Sequence, residues 1–487
     1  MDSSTIDLSP DEFRRLGHVL IDLLADQLAG AREAPVRRPL PEAVRDRLLN
    51  APLNDAPEAP DALLQRVKDD MLPYSLGNSS PRFFGWVNSP PAPLGILGDL
   101  LAAGQGSPAV NSDRAAYFVE MAVVGWIRAM FGLPETTGGI LTSGGTAANV
   151  IGLAAMRHMM AQGNMRRLGM TAEPARMVLY TSTQAHSCLQ KAAELLGFGD
   201  EHLRRIPVDS EYRMDVAALR EAVGRDRANG LRPVCVAASA GTVNTGAVDP
   251  LDAIADLCAD EAMWFHIDGA YGGFGILSPA AAPLFKGIER ADSLAVDPHK
   301  WLYAPIEAGC ALVRDGDLLR AVFGVSPAYL NHDSPYPWLS DLGIQQTRGF
   351  KALKIWLVLQ QVGLQGFRDL ISADIAHAKA LQAKIKARPE FELVAAGPLS
   401  ITCFRYKPVG MADDKVDALN KALQKGLDAS GKAFVSSTEI DGRFVLRACI
   451  VNFRTTDADL DVLLDAAAEA GKAELKAKGD SREDTKA

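Results

Sequence analysis

The feature that most restricts how this chain can fold is an alternation in its middle third. Short apolar runs, MVLYTS (177–182), PVCVAAS (233–239), MWFHID (263–268), SLAVD (293–297) and CALV (310–313), recur there. Helix-length segments separate most of them. A strand that is followed by a helix before the next strand returns in the same direction, so the pattern predicts a mainly parallel sheet covered by helices. In open sheets of that kind, ligands sit at the carboxyl ends of the strands. The residues at those ends therefore carry the functional argument.

The flanks read differently. Residues 9–30 predict a capped amphipathic helix, with Ser9 as N-cap, Pro10 in the first turn and Gly30 at the end. Phe13, Leu16, Val19, Leu20, Leu23 and Leu24 share one face, which suits docking on a second subunit. Residues 34–60 are rich in Pro and Ala and read as an extended crossing segment. After residue 350 a long helix, FKALKIWLVLQQVG, leads to strand candidates FELVAA, SITCFRY and RFVLRACI, a smaller α+β region. The last residues, KAELKAKGDSREDTKA, read as a charged, frayed tail. The expected division is a helical arm at 1–85, a large domain at 86–375, a small domain at 376–475 and a tail at 476–487.

Composition narrows the class. Hydrophobic residues make up 48% and charged residues 23%, enough for a substantial core. The net charge of −9, with no basic cluster, argues against nucleic acid as a partner. The six cysteines are scattered and form no C-x-x-C pair, the usage of a reducing, cytoplasmic setting. No apolar run reaches membrane-spanning length, and the N-terminus has no secretory pattern.

Four strand ends carry unusual residues. In ILTSGGTAANVIGLAAMRH a strand-like run meets Gly144-Gly145-Thr146 before an Ala-rich helix. The first N–H groups of such a helix can hold a phosphate, and glycine permits close approach; an ordinary strand-to-helix turn has the same look. In HIDGAYGG, Asp268 ends an apolar strand, where a carboxylate is costly unless paired. It could cap a helix, or fix an anion opposite a cationic ligand atom with Ala270 leaving room for a flat ring. In AVDPHKW, Lys300 follows His299 at the end of another strand. His186 stands at a fourth junction, where a histidine is usually structural. Together, a phosphate cradle, a strand-end carboxylate and a strand-end lysine suit pyridoxal 5′-phosphate. A metal-dependent hydrolase using His266, Asp268, Asp297 and His299 is the different-class alternative, but it leaves Lys300 and the glycine turn without a use.

The ordered set PRFFGW, LTSGGTAAN, AHSCLQKAAELLG, GTVNTGAVDP, HIDGAYGG, DPHKW and LRACIVN resembles the pyridoxal-phosphate-dependent group II amino acid decarboxylases, over roughly residues 80–455. The resemblance implies a fold-type I enzyme. Its parts are an N-terminal helical arm, a large domain with a mainly parallel seven-stranded sheet, and a small α+β C-terminal domain. It also implies a homodimer with active sites at the subunit interface, acting on a small amino acid. Lys300 resembles the lysine that binds the cofactor aldehyde, and Asp268 the partner of the ring nitrogen. His186 and Ala270 resemble the residues on the two ring faces. Gly144, Gly145 and Thr146 resemble the phosphate site, with His299 and Thr242 near the cofactor. Tyr329, in SPAYLNHD, resembles the proton-donating tyrosine of a catalytic loop, here expected as a mobile lid over 324–343.

The chain departs from the aromatic branch of that family at two places. Asp297 stands where that branch has asparagine, so its role is not carried over, and Val243 replaces a threonine. For the substrate, Trp86 resembles the aromatic branch's tyrosine rather than the glutamine of acidic-substrate enzymes. Ser89 and Arg447 resemble residues near the substrate, while Arg82 reads as structural. The expected reaction is therefore decarboxylation of an aromatic L-amino acid. An acidic substrate, or an aldehyde-forming variant of the reaction, is the alternative.

Overall fold

The computed structural model describes residues 6–325 and 336–483. These form two units. The larger comprises Val87–Lys379 and Ala395–Thr402; the other gathers Met1–Trp86, Ala380–Val394 and Cys403–Ala487.

The larger unit is built on a seven-stranded sheet. Across it the strands run Gly138–Thr142, Gly309–Val313, Ser293–Val296, Trp264–Asp268, Arg232–Ser239, Met177–Ser182 and Leu203–Ile206. The last five pair in parallel, and Gly309–Val313 runs antiparallel to both its neighbours. All five residues of Trp264–Asp268 and all four of Ser293–Val296 are buried. That is why these segments read as unbroken apolar runs rather than as alternating ones. Helices Gly145–Met160, Ser187–Leu195, Val216–Ala228 and Leu251–Asp260 make the crossovers. The mainly parallel sheet is as the alternation of the sequence predicts.

A second, five-stranded sheet takes the order Phe83–Phe84, Phe434–Ile440, Arg443–Cys449, Ile401–Tyr406, Phe391–Ala396. Phe434–Ile440 and the two-residue Phe83–Phe84 strand are absent from the sequence expectation. The first carries Ser436, Ser437, Thr438 and Glu439 in succession, which hides its period. The arm helix spans Pro10–Ala29, with Ser9 Oγ accepting from the Glu12 N–H at 3.2 Å. Leu16 is its one buried residue, and Phe13, Val19 and Leu20 are exposed.

Two local expectations are corrected. Residues 34–60 are not simply extended, because a helix occupies Glu42–Leu49. Pro39, Pro41 and Pro52 bracket that stretch without entering it, and an Arg45–Glu42 ion pair at 2.9 Å supports its first turn. The charged C-terminal stretch does not fray at once, since the helix from Asp457 continues to Glu483. Its Ala, Leu, Glu and Lys content favours that continuation. The long helix Ala352–Ala387 is interrupted at Gly363, whose φ of 67° is left-handed and open to glycine without strain. Among the described residues, no helix is long and apolar enough to cross a membrane.

Candidate active site

Five strand ends of the larger unit converge on one cavity of about 380 Å³. Gly144, Gly145 and Thr146 reach it from the end of Gly138–Thr142, and His186 from Met177–Ser182. Thr242 comes from the turn after Arg232–Ser239, Asp268 and Ala270 from Trp264–Asp268, and Asp297, His299 and Lys300 from Ser293–Val296. This is the strand-end position expected of a ligand site in such a sheet.

At one end of the cavity the chain turns into the sixteen-residue helix Gly145–Met160. Its ladder begins with Ala148 N–H donating to the Gly144 carbonyl, so the N–H groups of Gly145, Thr146 and Ala147 precede it. A side chain at Gly145 would bring its Cβ to 2.8 Å from Ala270 Cβ and 3.0 Å from Asp297 Oδ2. The turn needs glycine because the cradle is already full. Thr242 is committed to its own turn, its hydroxyl 3.0 Å from Thr245 Oγ and accepting from Ala247 N–H.

Lys300 is 18% exposed, and its Nζ lies 3.0 Å from Asp297 Oδ2. Burial pushes the ammonium pKa down, but Asp297, by charge and hydrogen bond, and then Asp268 outweigh it, so the net shift is upward. Asp297 is the residue whose role the sequence could not supply. Its Oδ1 is buried with no hydrogen-bond partner among the described residues. His299 Nδ1 accepts from Ala308 N–H at 3.2 Å, which leaves Nε2 facing Asp297 Oδ2 at 3.6 Å. Burial lowers the His299 pKa.

Asp268 accepts from the Ala270 N–H at 3.1 Å and from the Cys188 thiol at 3.4 Å. His186 caps the helix Ser187–Leu195, its Nδ1 accepting from Cys188 N–H at 3.2 Å, so a neutral ring carries its proton on Nε2. Loss of water from the ring lowers its pKa, against the pull of Asp268.

The larger unit thus brings together Gly144, Gly145, Thr146, His186, Thr242, Asp268, Ala270, His299 and Lys300. Ser89 lies behind the lysine loop, its hydroxyl donating to the His299 carbonyl at 2.8 Å. Trp86 and Arg447 belong to the other unit, where Arg447 Nη1 donates to the Trp86 carbonyl at 3.0 Å. Arg82 is there too, its guanidinium donating to the Arg32 carbonyl, which accords with the structural reading. Tyr329 and residues 326–335 of the expected lid lie outside the described residues. His266 does not line the cavity and both its ring nitrogens are bonded in the core, to Ser293 and Asn149, so the metal-hydrolase alternative loses a ligand. Sequence reasoning gave Cys188 and Asn149 no role, although they stand within AHSCLQKAAELLG and LTSGGTAAN.

The residues fit pyridoxal 5′-phosphate. They offer N–H donors and a glycine cradle at one end, a carboxylate at the other, and an amine in the same cavity. Comparison with known proteins agrees. The pyridoxal-dependent decarboxylase conserved domain matches residues 41–407. The aromatic-L-amino-acid decarboxylase of Bacillus atrophaeus is 32% identical over 465 residues, covering 94% of this chain and 95% of that protein. Phenylacetaldehyde synthase of Arabidopsis thaliana is 31% identical over 457 residues, covering 91% and 92%. The crystal structure of Oryza sativa TDC with PLP and tryptamine matches with a TM-score of 0.88 at 28% identity, covering 96% of this chain and 99% of that one.

Proposed function

The chain belongs to the pyridoxal-dependent decarboxylase family, a pyridoxal 5′-phosphate-dependent lyase acting on amino acids, and we propose that its substrate is an aromatic L-amino acid, released as the amine and carbon dioxide. The observation that carries the decarboxylase chemistry is one cavity holding Lys300, Asp268 and the Gly144–Gly145 turn. The aromatic preference is supported by the named activity of the Bacillus relative and by the tryptamine bound to the Oryza protein. The exposed indole of Trp86 supports it as well.

When bound, the cofactor supplies an electron sink for the pair left behind by the departing carboxylate. In this reading Lys300 would hold the cofactor aldehyde. The N–H groups of Gly145 and Thr146 hold the phosphate, with Gly144 leaving the approach open and His299 and Thr242 alongside. Asp268, itself buried, would hold a proton on the ring nitrogen by charge pairing. His186 and Ala270, which line the same cavity, would confine the ring. Tyr329 delivers a proton to Cα, so amine rather than aldehyde leaves. Ser89, Trp86 and Arg447 act in substrate binding. The unit of activity in this reading is a homodimer, supported by the uncovered apolar side chains of Phe13, Val19 and Leu20, and its setting is the cytoplasm, supported by six cysteines that are all free.

The test is carbon dioxide release from tryptophan, tyrosine, phenylalanine, dihydroxyphenylalanine, glutamate, aspartate and cysteine sulfinate, with each organic product identified. Preference for any of the last three overturns the aromatic assignment. Aldehyde with equivalent peroxide overturns the amine assignment. A Tyr329→Phe variant that makes amine at the wild-type rate removes that residue from the chemistry.

A further inference from the structure

Behind the cavity runs a chain of buried hydrogen bonds whose direction can be worked out donor by donor. Asn149 is fully buried, and its Nδ2 donates to the Gly145 carbonyl at 2.9 Å and to Cys188 Sγ at 3.4 Å. The carbonyl fixes the amide's orientation, because a flipped Asn149 would set two acceptors against each other. Asn149 Oδ1 must then accept, so His266 Nε2, 2.7 Å away, carries the imidazole proton. His266 Nδ1 is left as an acceptor for the Ser293 hydroxyl at 2.7 Å. Ser293 Oγ in turn accepts from Trp264 Nε1–H at 2.8 Å. At the other end, the Cys188 thiol donates to Asp268 Oδ2 at 3.4 Å. Every donor points the same way, from Trp264 toward Asp268.

We propose that Trp264, Ser293, His266, Asn149 and Cys188 form a one-way hydrogen-bond relay that positions Asp268 as an acceptor for the cofactor ring nitrogen, while the same Asn149 anchors the phosphate turn. Asn149, His266 and Cys188 are thus positioning residues that set both ends of the cradle from one side. Bonds aligned head to tail polarise one another, and a carboxylate at the end of such a chain is the acceptor that gains most. Burial supports the scheme: it keeps the His266 ring neutral, with its pKa pushed down to about 4, and pushes the Cys188 thiol up, so both remain able to donate. The inference rests on the reading of Asp268 as the ring-nitrogen partner.

The experiment strips cofactor from the full-length chain. It then measures dissociation constants for pyridoxal 5′-phosphate and for 1-deazapyridoxal 5′-phosphate, whose ring has C–H in place of the nitrogen. The ratio of the two constants reports on Asp268 alone, since aldehyde and phosphate are common to both ligands. In Cys188→Ala the ratio is expected to shrink by about three- to tenfold, the loss of one weak donor to a charged acceptor. Cys188→Ser, which keeps a donor, is expected to restore most of it. Asn149→Ala is expected to shrink the ratio and also weaken both ligands, because Gly145 loses its anchor. A Cys188→Ala protein that weakens both ligands by one common factor overturns the relay, since that is what general loosening would do. Asp268→Asn separates the two levels: it should abolish the discrimination, and if it leaves the wild-type ratio, the reading of Asp268 itself fails. A His266 proton found on Nδ1 by nitrogen-15 resonance would reverse the direction and end the proposal.

Discussion

Lys300 Nζ and Asp297 Oδ2 stand 3.0 Å apart in a largely buried pair, with Asp297 pressed against the Gly144–Gly145 turn. An aspartate beside a phosphate cradle would repel the anion if it stood alone. Here its charge is met by the lysine, which holds a proton more tightly as a result. The unprotonated amine needed to take up the cofactor aldehyde is the form that pairing disfavours. Asp297→Asn removes the larger opposing charge, so burial lowers the lysine pKa against the weaker pull of Asp268. The rate at which stripped protein takes up pyridoxal 5′-phosphate rises with pH as the amine is freed, so its midpoint should move to lower pH in the variant. Stopped-flow absorbance across pH checks this, and an unmoved midpoint means that Asp297 does not hold the lysine.

Removing the amine has a plainer consequence. Lys300→Ala is expected to abolish the visible absorbance of covalently held cofactor. It should also cut turnover by at least about 10³-fold, equivalent to about 4 kcal/mol of lost transition-state stabilisation. Wild-type turnover in this variant would end the decarboxylase reading of the site.

The buried His266 gives stability an acid limb. Burial depresses its pKa from the ordinary 6.5 to about 4. The unfolded chain therefore binds a proton before the folded one does, and stability falls as pH drops from 6.5 toward 4. At pH 5 the loss is on the order of 2 kcal/mol for this one group. His266→Gln has no ring to titrate, so its Tm should vary less over that window whatever its absolute value. Parallel slopes of Tm against pH for the two proteins would show that other groups set the acid limb.

How much of this was legible in the sequence follows from what each signal depends on. The sheet was legible because most of its strands are buried on both faces and stand out as apolar runs, whereas the edge strand Leu203–Ile206, with Arg204 and Arg205 in its middle, did not. The strand ends were legible because a lysine, an aspartate and a glycine pair are conspicuous there. Asn149 and Cys188 were not. An asparagine inside the Ala-rich helix and a cysteine at the second position of another have no local pattern, and only the fold brings them together. The ion pair of Asp297 was likewise hidden, since a residue three positions before a lysine can point anywhere on a loop. The helix Glu42–Leu49 was lost among prolines that flank it without entering it.

One buried ion pair holds the strand that leads to the glycine turn. Arg348 and Glu120 meet at 2.5 and 3.1 Å through two nitrogens and two oxygens, both side chains almost wholly buried. Glu120 also accepts from Leu141 N–H, and Arg348 donates to the carbonyls of Leu141 and Ala109. Removing either partner strands a charge in the core, so Glu120→Ala or Arg348→Ala should cost about 3–5 kcal/mol. The double change to leucine should cost less than the two single changes summed. Denaturant midpoints for the four proteins test this, and additive losses would mean that the pair is not coupled.

The proposed role of Trp86 in substrate preference can be tested, and its backbone is the reason to look there. Its φ of 46° is left-handed, a conformation that costs a bulky residue about 1–3 kcal/mol and persists only where surroundings enforce it. Ser436 Oγ accepts from its N–H at 3.2 Å, and Arg447 holds its carbonyl at 3.0 Å. The ring leans on Phe434 at 5.1 Å and Phe83 at 6.2 Å, yet the residue stays 45% exposed. A residue needed only for packing would have no use for a strained backbone and an open indole. Offset stacking on a substrate ring is worth about 0.5–1.5 kcal/mol beyond burial, or roughly two- to tenfold in kcat/KM. Trp86→Ala should therefore lower kcat/KM for tryptophan and tyrosine by about that factor relative to an aliphatic or acidic amino acid, and Trp86→Tyr should recover most of it. If Trp86→Ala scales every substrate equally while lowering Tm, the indole serves the packing of Phe83 and Phe434, and the determinant of preference lies elsewhere.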